Sequence, residues 1–208
     1  VKPASHAVLH WEWRTFAHDL AGLRARLPEL AKLKRTHSRE TYIVSELVPH
    51  NAKIRFDELD VRRLLHVDAQ GLELWDPVLE GTFPITAETA ARMFHLWRLP
   101  LPAFEREHYS LTLFLEEVVS RNRDLHLAEV EKTRCGFEYR GCTAELAELA
   151  VNGIPLETFC LEHEDGATVC GALDRLGLRG ARNVSYPQAI KEVLGLTTLP
   201  APVHEVAQ

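Results

Sequence analysis

The chain has 208 residues, of which 46% are hydrophobic and 26% are charged. This composition excludes a collagen-like, a low-complexity or a fully disordered chain, and the length allows one large domain or two small ones. The 24 basic and 30 acidic side chains give a net charge of -6. A wide basic surface that binds duplex nucleic acid is therefore not expected.

The sequence also bears on cellular location. It contains no apolar run of the roughly 18 to 20 residues that a membrane helix needs, and its start lacks the layout of a signal peptide. We therefore expect a cytoplasmic protein without a membrane partner. The four cysteines form no Cys-x-x-Cys pair, so reduced thiols are expected rather than a disulfide framework.

The first predicted strand covers residues 8–16 and has two chemically different faces. Trp11 and Trp13 share one face, and alternation places three polar residues on the other: His10, Glu12 and Arg14. Leucines at helical spacing then predict a helix over residues 18–34, with a break at Pro28.

Four short β-like segments follow this helix and are separated by turn residues. They cover residues 40–47, 51–56, 59–67 and 72–78. Such closely spaced strands predict an antiparallel meander. The next segment, residues 87–97, has helical spacing, and Thr86 is its predicted N-cap.

The second half of the chain repeats this arrangement of strands and helices without a sequence repeat. Residues 110–121 are interpreted as a helix, with a strand as the alternative. Three strands are predicted next, and Asn152-Gly153 between the last two is a strong hairpin signal. These strands cover residues 126–139, 142–151 and 156–164. Two final helices are expected at 167–176 and 187–194, before a loose tail over about 197–208. We expect one domain over residues 1–208.

Charged residues recur at alternate positions in several of the predicted strands. The clearest examples are Lys53 and Arg55, Arg62 or Arg63, Lys132 and Arg134, and Glu162 and Glu164. One interpretation is that these residues form the solvated faces of an ordinary α+β protein. However, the opposite faces of several of these strands are apolar: Ile54 and Phe56, for example, lie opposite Lys53 and Arg55. If helices cover those apolar faces, the charged faces enclose a tunnel. The predicted fold is therefore α+β, a closed antiparallel β-barrel with helices packed outside.

The ordered series of charged strands resembles the CYTH superfamily of triphosphate tunnel enzymes. Members of this family begin with Glu-x-Glu-x-Lys, and His10-Trp11-Glu12-Trp13-Arg14 occupies that place here. The later basic pairs of the family correspond to Lys53-Ile-Arg55, to Arg62 or Arg63, and to Lys132-Thr-Arg134. Its acidic strands correspond to Glu145 and to Glu162-His163-Glu164. The similarity in order extends from about residue 8 to residue 194.

The resemblance implies a phosphohydrolase that cleaves a phosphoanhydride bond in tripolyphosphate, polyphosphate or an organic triphosphate. A divalent cofactor, Mg²⁺ or Mn²⁺, would then be held by the acidic residues Glu12, Glu145, Glu162 and Glu164. The phosphates would be bound by Arg14, Lys53, Arg55, Arg62, Lys132 and Arg134, and catalysis would depend on Glu12, Arg14 and Lys132. Trp75 or Trp97 could contact an organic group, although both residues are common in cores. A monomer or a homodimer is expected.

Two departures from the family pattern leave a second function open. His10 replaces a carboxylate ligand by an imidazole, which prefers softer metals than Mg²⁺. Arg14 replaces a lysine by a planar guanidinium that stays protonated. The alternative is therefore a polyphosphate- or nucleotide-binding module that has the same barrel but weakened catalysis.

Overall fold

The computed structural model describes residues 8–27 and 34–196. Eight long antiparallel strands close into a barrel, in the order β1-β10-β9-β8-β2-β3-β4-β5. Their bounds are β1 His10–Ala17, β2 Arg35–Ser45, β3 Asn51–Arg55, β4 Glu58–Val67, β5 Glu73–Thr82, β8 Leu125–Tyr139, β9 Cys142–Val151 and β10 Ile154–His163. Two short strands, β6 Ile85–Thr86 and β7 His108–Tyr109, pair outside the barrel. The predicted closed antiparallel barrel is confirmed.

Tight turns set the register of the second half of the barrel. Asn152 and Gly153 connect β9 to β10, and both have positive φ, at 47° and 83°. Arg140 and Gly141 connect β8 to β9 with φ of 54° and 84°. Two consecutive residues with positive φ match the right-handed twist of the flanking strands. The strong hairpin signal in the sequence is therefore confirmed.

Most of the predicted helices are also present. They are α1 Ala21–Arg24, α2 Ala87–Leu96, α3 Leu111–Leu113, α4 Gly166–Leu176 and α5 Tyr186–Val193. The hydroxyl of Thr86 accepts a hydrogen bond from the backbone N–H of Thr89 and so caps α2 as predicted. The segment at 110–121 is helical, but it continues beyond α3 as a π-helix over Phe114–Val119.

The outward faces of the strands are apolar and lie under helices. Trp13 of β1 is buried in one cluster with Val169 and Leu173 of α4. On another side of the barrel, Ile54 of β3 is buried in a cluster with Phe94 of α2. Burial of these faces by helices leaves the inward positions for the polar residues.

Helix α5 packs in a different way from the helices outside the barrel. Its Tyr186 and Ile190 belong to an apolar cluster with Tyr42 and Val44 of β2 and Val130 of β8. Tyr42 and Tyr186 also line the cavity of the barrel. We conclude that α5 covers an apolar end of the barrel interior, an arrangement that the sequence patterns did not indicate.

Three local expectations differ from the structure. The predicted helix over 18–34 is helical only at Ala21–Arg24, and residues 28–33 lie outside the described part. Phe56, expected on an apolar face, lies in the turn after β3 with positive φ and is 77% exposed. The predicted tail after Leu196 also lies outside the described residues. Among the described helices, none has the length and apolarity needed to cross a membrane.

Candidate functional site

A polar cavity of about 150 Å³ lies inside the barrel. Eight of the ten predicted site residues line it: Glu12, Arg14, Lys53, Arg62, Lys132, Arg134, Glu145 and Glu162. Because side chains alternate along a strand, equivalent positions of several strands converge on this space. The structure thus brings most of the predicted residues together, and it leaves their chemical roles as predictions.

Strand pairing places the acidic residues of the cavity side by side. Glu12 of β1 lies opposite Glu162 of β10, and on its other side it lies opposite Glu73 of β5. Arg14 lies opposite Cys160 in the same pairing. Three carboxyl groups therefore form a row across neighbouring strands, with one guanidinium and one thiol next to it.

Arg14 is the most contacted cation of the cavity. Its Nε donates a hydrogen bond to Oε1 of Glu12 at 2.8 Å, and its Nη1 donates to Oε1 of Glu145 at 3.4 Å. Its Nη2 lies 3.9 Å from Oε1 of Glu162, and its guanidinium lies 4.7 Å from the centre of the Tyr186 ring. The residue is only 5% exposed. One guanidinium therefore lies within 4 Å of three of the four predicted metal ligands.

Glu40 of β2 anchors the cations on the opposite side. Its carboxylate lies 3.4 Å from Nζ of Lys132 and 3.6 Å from Nη1 of Arg55, and it accepts hydrogen bonds from the hydroxyls of Ser38 and Tyr42. Burial alone raises the pKa of Glu40, but Lys132, Lys53 and the two hydroxyls outweigh it and lower the pKa. Glu40 thus stays ionised and holds the cations in place.

Glu73 has a different electrostatic environment. Burial and the nearby charge of Glu12 raise the pKa of Glu73 to about 8. The indole N–H of Trp75 donates to its Oε2 at 3.2 Å. For Glu162, burial and Glu12 also raise the pKa. The acidic row therefore carries more carboxyl groups than its cations fully compensate.

Several buried polar atoms in the cavity lining lack a hydrogen-bond partner among the described residues. They are the hydroxyl of Tyr186, Oδ1 of Asn51 and Nε of Arg62, of which the last lies 3.4 Å from Oδ2 of Asp60 in an ion pair. Buried polar atoms are almost always hydrogen-bonded in native proteins. Such unpaired atoms in a roomy polar cavity indicate that it is filled by water or by a polar ligand.

The acidic wall offers suitable donors for a divalent metal ion. Ligand atoms of Glu12, Cys160 and Glu162 lie within 4.8 Å of one another. Oε2 of Glu145 lies nearby in the cavity wall, 3.6 Å from Nη1 of Arg134. Carboxylate oxygens suit Mg²⁺ and Mn²⁺. The residues present therefore fit the expected cofactor, although Arg14 contacts the same carboxylates.

A second, wider cavity of about 510 Å³ adjoins the first through Lys53, which lines both. Arg55 lines this second cavity together with acidic residues of β4 and β5: Glu58, Asp60 and Glu80. Arg55 is thus near the cations of the first cavity but at a wider and more acidic part of the barrel.

Several candidates from the sequence lie away from the cavity. The side chain of Glu164 is 62% exposed, with an oxygen 3.9 Å from Nε2 of His10. Of the alternatives Arg62 and Arg63, only Arg62 lines the cavity, and Arg63 pairs with Asp76 at 2.8 Å. Of the two tryptophans considered for contact with an organic group, Trp75 is buried and lines the cavity. By contrast, Trp97 is fully buried in the outer core, so it cannot contact a substrate in the barrel.

Sequence reasoning missed five residues of the site: Glu40, Tyr42, Glu73, Cys160 and Tyr186. For Glu40 and Tyr42 a signal existed, because they alternate with Ser38 along one strand face. Cys160 likewise alternates with Glu162. Tyr186 reaches the cavity only because α5 closes the barrel, and no local pattern indicates that.

A comparison with one solved structure supports the fold. HpAC1 from Hippeastrum, described as an adenylyl cyclase candidate with a dominant triphosphatase activity, has a TM-score of 0.52 and 15% identity, covering 94% of this chain and 100% of its own. A candidate adenylate cyclase from Bacillus halodurans has a TM-score of 0.49 and 11% identity, covering 92% of both chains. No protein-family model and no curated protein matches the sequence. The likeness to HpAC1 at 15% identity concerns the fold, a closed antiparallel barrel with helices packed outside.

Proposed function

We propose that the protein is a metal-dependent hydrolase that cleaves a phosphoanhydride bond in tripolyphosphate, polyphosphate or an organic triphosphate. The main support is the enclosed cavity, in which cations of several strands converge on a row of carboxylates. A chain of phosphates needs many positive groups along its length, and the carboxylates would be available to a metal ion that bridges phosphate oxygens.

The cations of the cavity have a direct role in this proposal. Arg14, Lys132 and Arg134 lie around Glu145, while Lys53 and Arg62 lie near Asp60. Such fixed charges would stabilise the charge that develops on the leaving phosphate. The planar guanidinium groups can each donate two hydrogen bonds to one phosphate.

The carboxylates would serve the metal and the attacking water. Glu12 and Glu162 are the central ligand candidates, with Glu145 beside them. A divalent ion bound there would supply positive charge for the phosphate oxygens and activate water. Glu164 is exposed and does not line the cavity, so it has a smaller part in the proposal than the sequence resemblance implies.

The second candidate function is a polyphosphate-binding module with little or no turnover. It is favoured by the contacts of Arg14, which occupies the carboxylates Glu12, Glu145 and Glu162. A guanidinium in this position competes with a metal ion for the same oxygens. Phosphate binding through Lys53, Lys132 and Arg134 would survive such competition, whereas metal-assisted hydrolysis would not.

Phosphate release separates the two functions. The protein is incubated with tripolyphosphate, ATP or thiamine triphosphate, first with Mg²⁺ and then with Mn²⁺, and released phosphate is measured. Release that stops on adding EDTA supports the hydrolase. Thermal stabilisation by tripolyphosphate without release supports the binding module. If neither release nor stabilisation is found, both proposals are wrong.

A further inference from the structure

The thiol of Cys160 lies in the acidic wall of the cavity. On β10 it alternates with Glu162, and its side chain is 1% exposed. Its Sγ is 3.4 Å from Oε1 of Glu162. Pairing of β1 with β10 places Glu12 opposite Glu162 and Arg14 opposite Cys160. The four residues thus form a rectangle with two carboxylates, one thiol and one guanidinium at its corners.

The distances in this rectangle match a metal site with mixed donors. With Zn–S of about 2.3 Å and Zn–O of about 2.1 Å, tetrahedral geometry places sulfur and oxygen about 3.6 Å apart. The 3.4 Å between Cys160 and Glu162 is close to that value. All three ligand atoms, including that of Glu12, lie within 4.8 Å of one another. A small movement of the side chains would therefore bring all three atoms to distances at which they share one ion.

The contacts of Arg14 leave ligand atoms available. Arg14 bonds to Oε1 of Glu12 and lies near Oε1 of Glu162. In the part of the chain that the structure describes, Oε2 of each of these two glutamates accepts no hydrogen bond. Oε1 of Glu162, the oxygen next to Cys160, lies 3.9 Å from Nη2 of Arg14, which is beyond hydrogen-bond distance, so it is available to a metal ion as well.

An independent observation indicates that a ligand enters this cavity. The hydroxyl of Tyr186 is buried and has no hydrogen-bond partner among the described residues, and the residue is 7% exposed. Tyr186 lines the same cavity as Glu12 and Glu162. Its hydroxyl is therefore available to a water or a phosphate oxygen inside this cavity.

We propose that Cys160 is a ligand of the divalent metal ion, together with Glu12 and Glu162, and that this makes the site selective for thiophilic ions. Thiolate ligands favour Zn²⁺, Co²⁺ and Cd²⁺ over Mg²⁺, which prefers oxygen ligands in an octahedral arrangement. The thiol loses its proton to solvent when it binds the ion. This proposal deepens the proposed function by naming the class of metal, and it concerns binding rather than turnover.

Absorption spectroscopy tests this proposal without any activity measurement. The reduced full-length protein is titrated with Co²⁺ and, separately, with Cd²⁺. We expect a thiolate-to-metal charge-transfer band in the ultraviolet that saturates at one ion per chain. The band is lost in Cys160→Ser and retained in Cys170→Ser, which changes a partly exposed thiol in α4. Addition of Zn²⁺ should remove the charge-transfer band of Co²⁺, whereas the same concentration of Mg²⁺ should not.

Affinity gives the second measurement. Zn²⁺ binding is expected to weaken about tenfold or more in Cys160→Ser, because even residues that only support a ligand change affinity by about 10- to 100-fold. Glu162→Gln keeps the thiol and should weaken binding as well, which covers the case in which Cys160→Ser does not fold. If the wild-type protein binds Co²⁺ without a charge-transfer band, or if Cys160→Ser keeps the band, the proposal is wrong.

The outcomes are separable from those of the proposed function. Phosphate release with Mg²⁺ but no thiolate band retains the hydrolase and overturns the role of Cys160. A thiolate band that is lost in Cys160→Ser supports the metal site even if no phosphate is released from any substrate, in which case the hydrolase proposal fails alone.

Discussion

Arg14 and Glu12, two residues apart on one strand face, form a hydrogen-bonded ion pair of 2.8 Å inside the barrel. The side chain of Arg14 is 6% exposed and that of Glu12 is 14% exposed, so water screens the pair only weakly. The same guanidinium reaches Glu145 and Glu162. Without a bound metal ion, Arg14 is therefore the main counter-charge of the acidic wall.

This relationship predicts the effect of Arg14→Gln. Removing one partner of a buried ion pair costs about 3 kcal/mol or more, because the remaining charges are left unpaired. At about 2–4 °C per kcal/mol, the melting temperature of the metal-free protein should fall by about 6–12 °C. Addition of Mn²⁺ should restore more stability to this variant than to the wild type, since an ion can replace the lost charge. Differential scanning calorimetry with and without EDTA measures both effects.

Arg134→Gln is the matched control for Arg14→Gln. Arg134 also contacts Glu145, at 3.6 Å, but its side chain is 34% exposed. The loss of Arg134 should lower the melting temperature much less than the loss of Arg14. It should also leave the stabilisation by Mn²⁺ at the wild-type level. Equal behaviour of the two variants would show that Arg14 has no special relation to the metal ligands.

Glu162→Gln should separate catalysis from stability. Burial and the charge of Glu12 raise the pKa of Glu162, so its ionised form is unfavourable in the folded protein. A neutral amide removes that repulsion, and we expect an unchanged or higher melting temperature. Phosphate release should fall by about 100-fold or more because a metal ligand is lost. A variant that is less stable but fully active would identify Glu162 as a structural residue.

The fold could be predicted from the sequence because the barrel is built from local patterns. Alternation in β1 separates Trp13 from Glu12 and Arg14, and the turn at Asn152 and Gly153 fixes the pairing of β9 with β10. These features depend on neighbours in the chain. Helix α5, in contrast, closes the barrel through contacts between distant residues, and its sequence resembles that of an ordinary amphipathic helix.

Most of the candidate site could be predicted because charged residues recur at alternate positions of the strands. Lys132 and Arg134 form a visible pair on β8. Glu40 is a single carboxyl, and its strand begins at Arg35, five residues before the predicted start. The predicted strand therefore leaves out Ser38, the first of the three alternating polar residues Ser38, Glu40 and Tyr42. Glu40 matters because its carboxylate contacts Lys132 on the neighbouring strand β8. The pairing of β2 with β8, which brings the two residues together, cannot be read from the sequence around Glu40.

Glu40→Gln is expected to weaken phosphate binding through the cations that Glu40 positions. Lys132 would lose its 3.4 Å partner, and Arg55 would lose its partner at 3.6 Å. We expect a higher Kd for tripolyphosphate, measured by calorimetry.

The stability of Glu40→Gln should also depend on pH differently from that of the wild type. Because Lys132, Lys53 and two hydroxyls lower the pKa of Glu40 against the effect of burial, ionised Glu40 stabilises the fold above about pH 4.5. That contribution is lost as the pH falls further, and the variant should lack this part of the acid destabilisation.

Asp76→Asn is the control for the effect of Glu40→Gln on tripolyphosphate binding, because Asp76 pairs with Arg63 outside the cavity. It should leave the Kd for tripolyphosphate unchanged. An unchanged Kd in Glu40→Gln as well would mean that Glu40 does not position the phosphate-binding cations.

Glu73→Gln should stabilise the metal-free protein at alkaline pH. Burial and Glu12 raise the pKa of Glu73 to about 8, against an ordinary value of 4.5. A carboxyl group with a raised pKa holds its proton in the folded state while the unfolded chain releases it, so stability falls as the pH rises from 4.5 to 8. The amide cannot ionise, and its free energy of unfolding should decline less over this range. Chemical unfolding in EDTA at pH 5, 6.5 and 8 measures the difference, which should be largest at pH 8. Equal pH dependence in the variant and the wild type would show that Glu73 is already ionised in the folded protein.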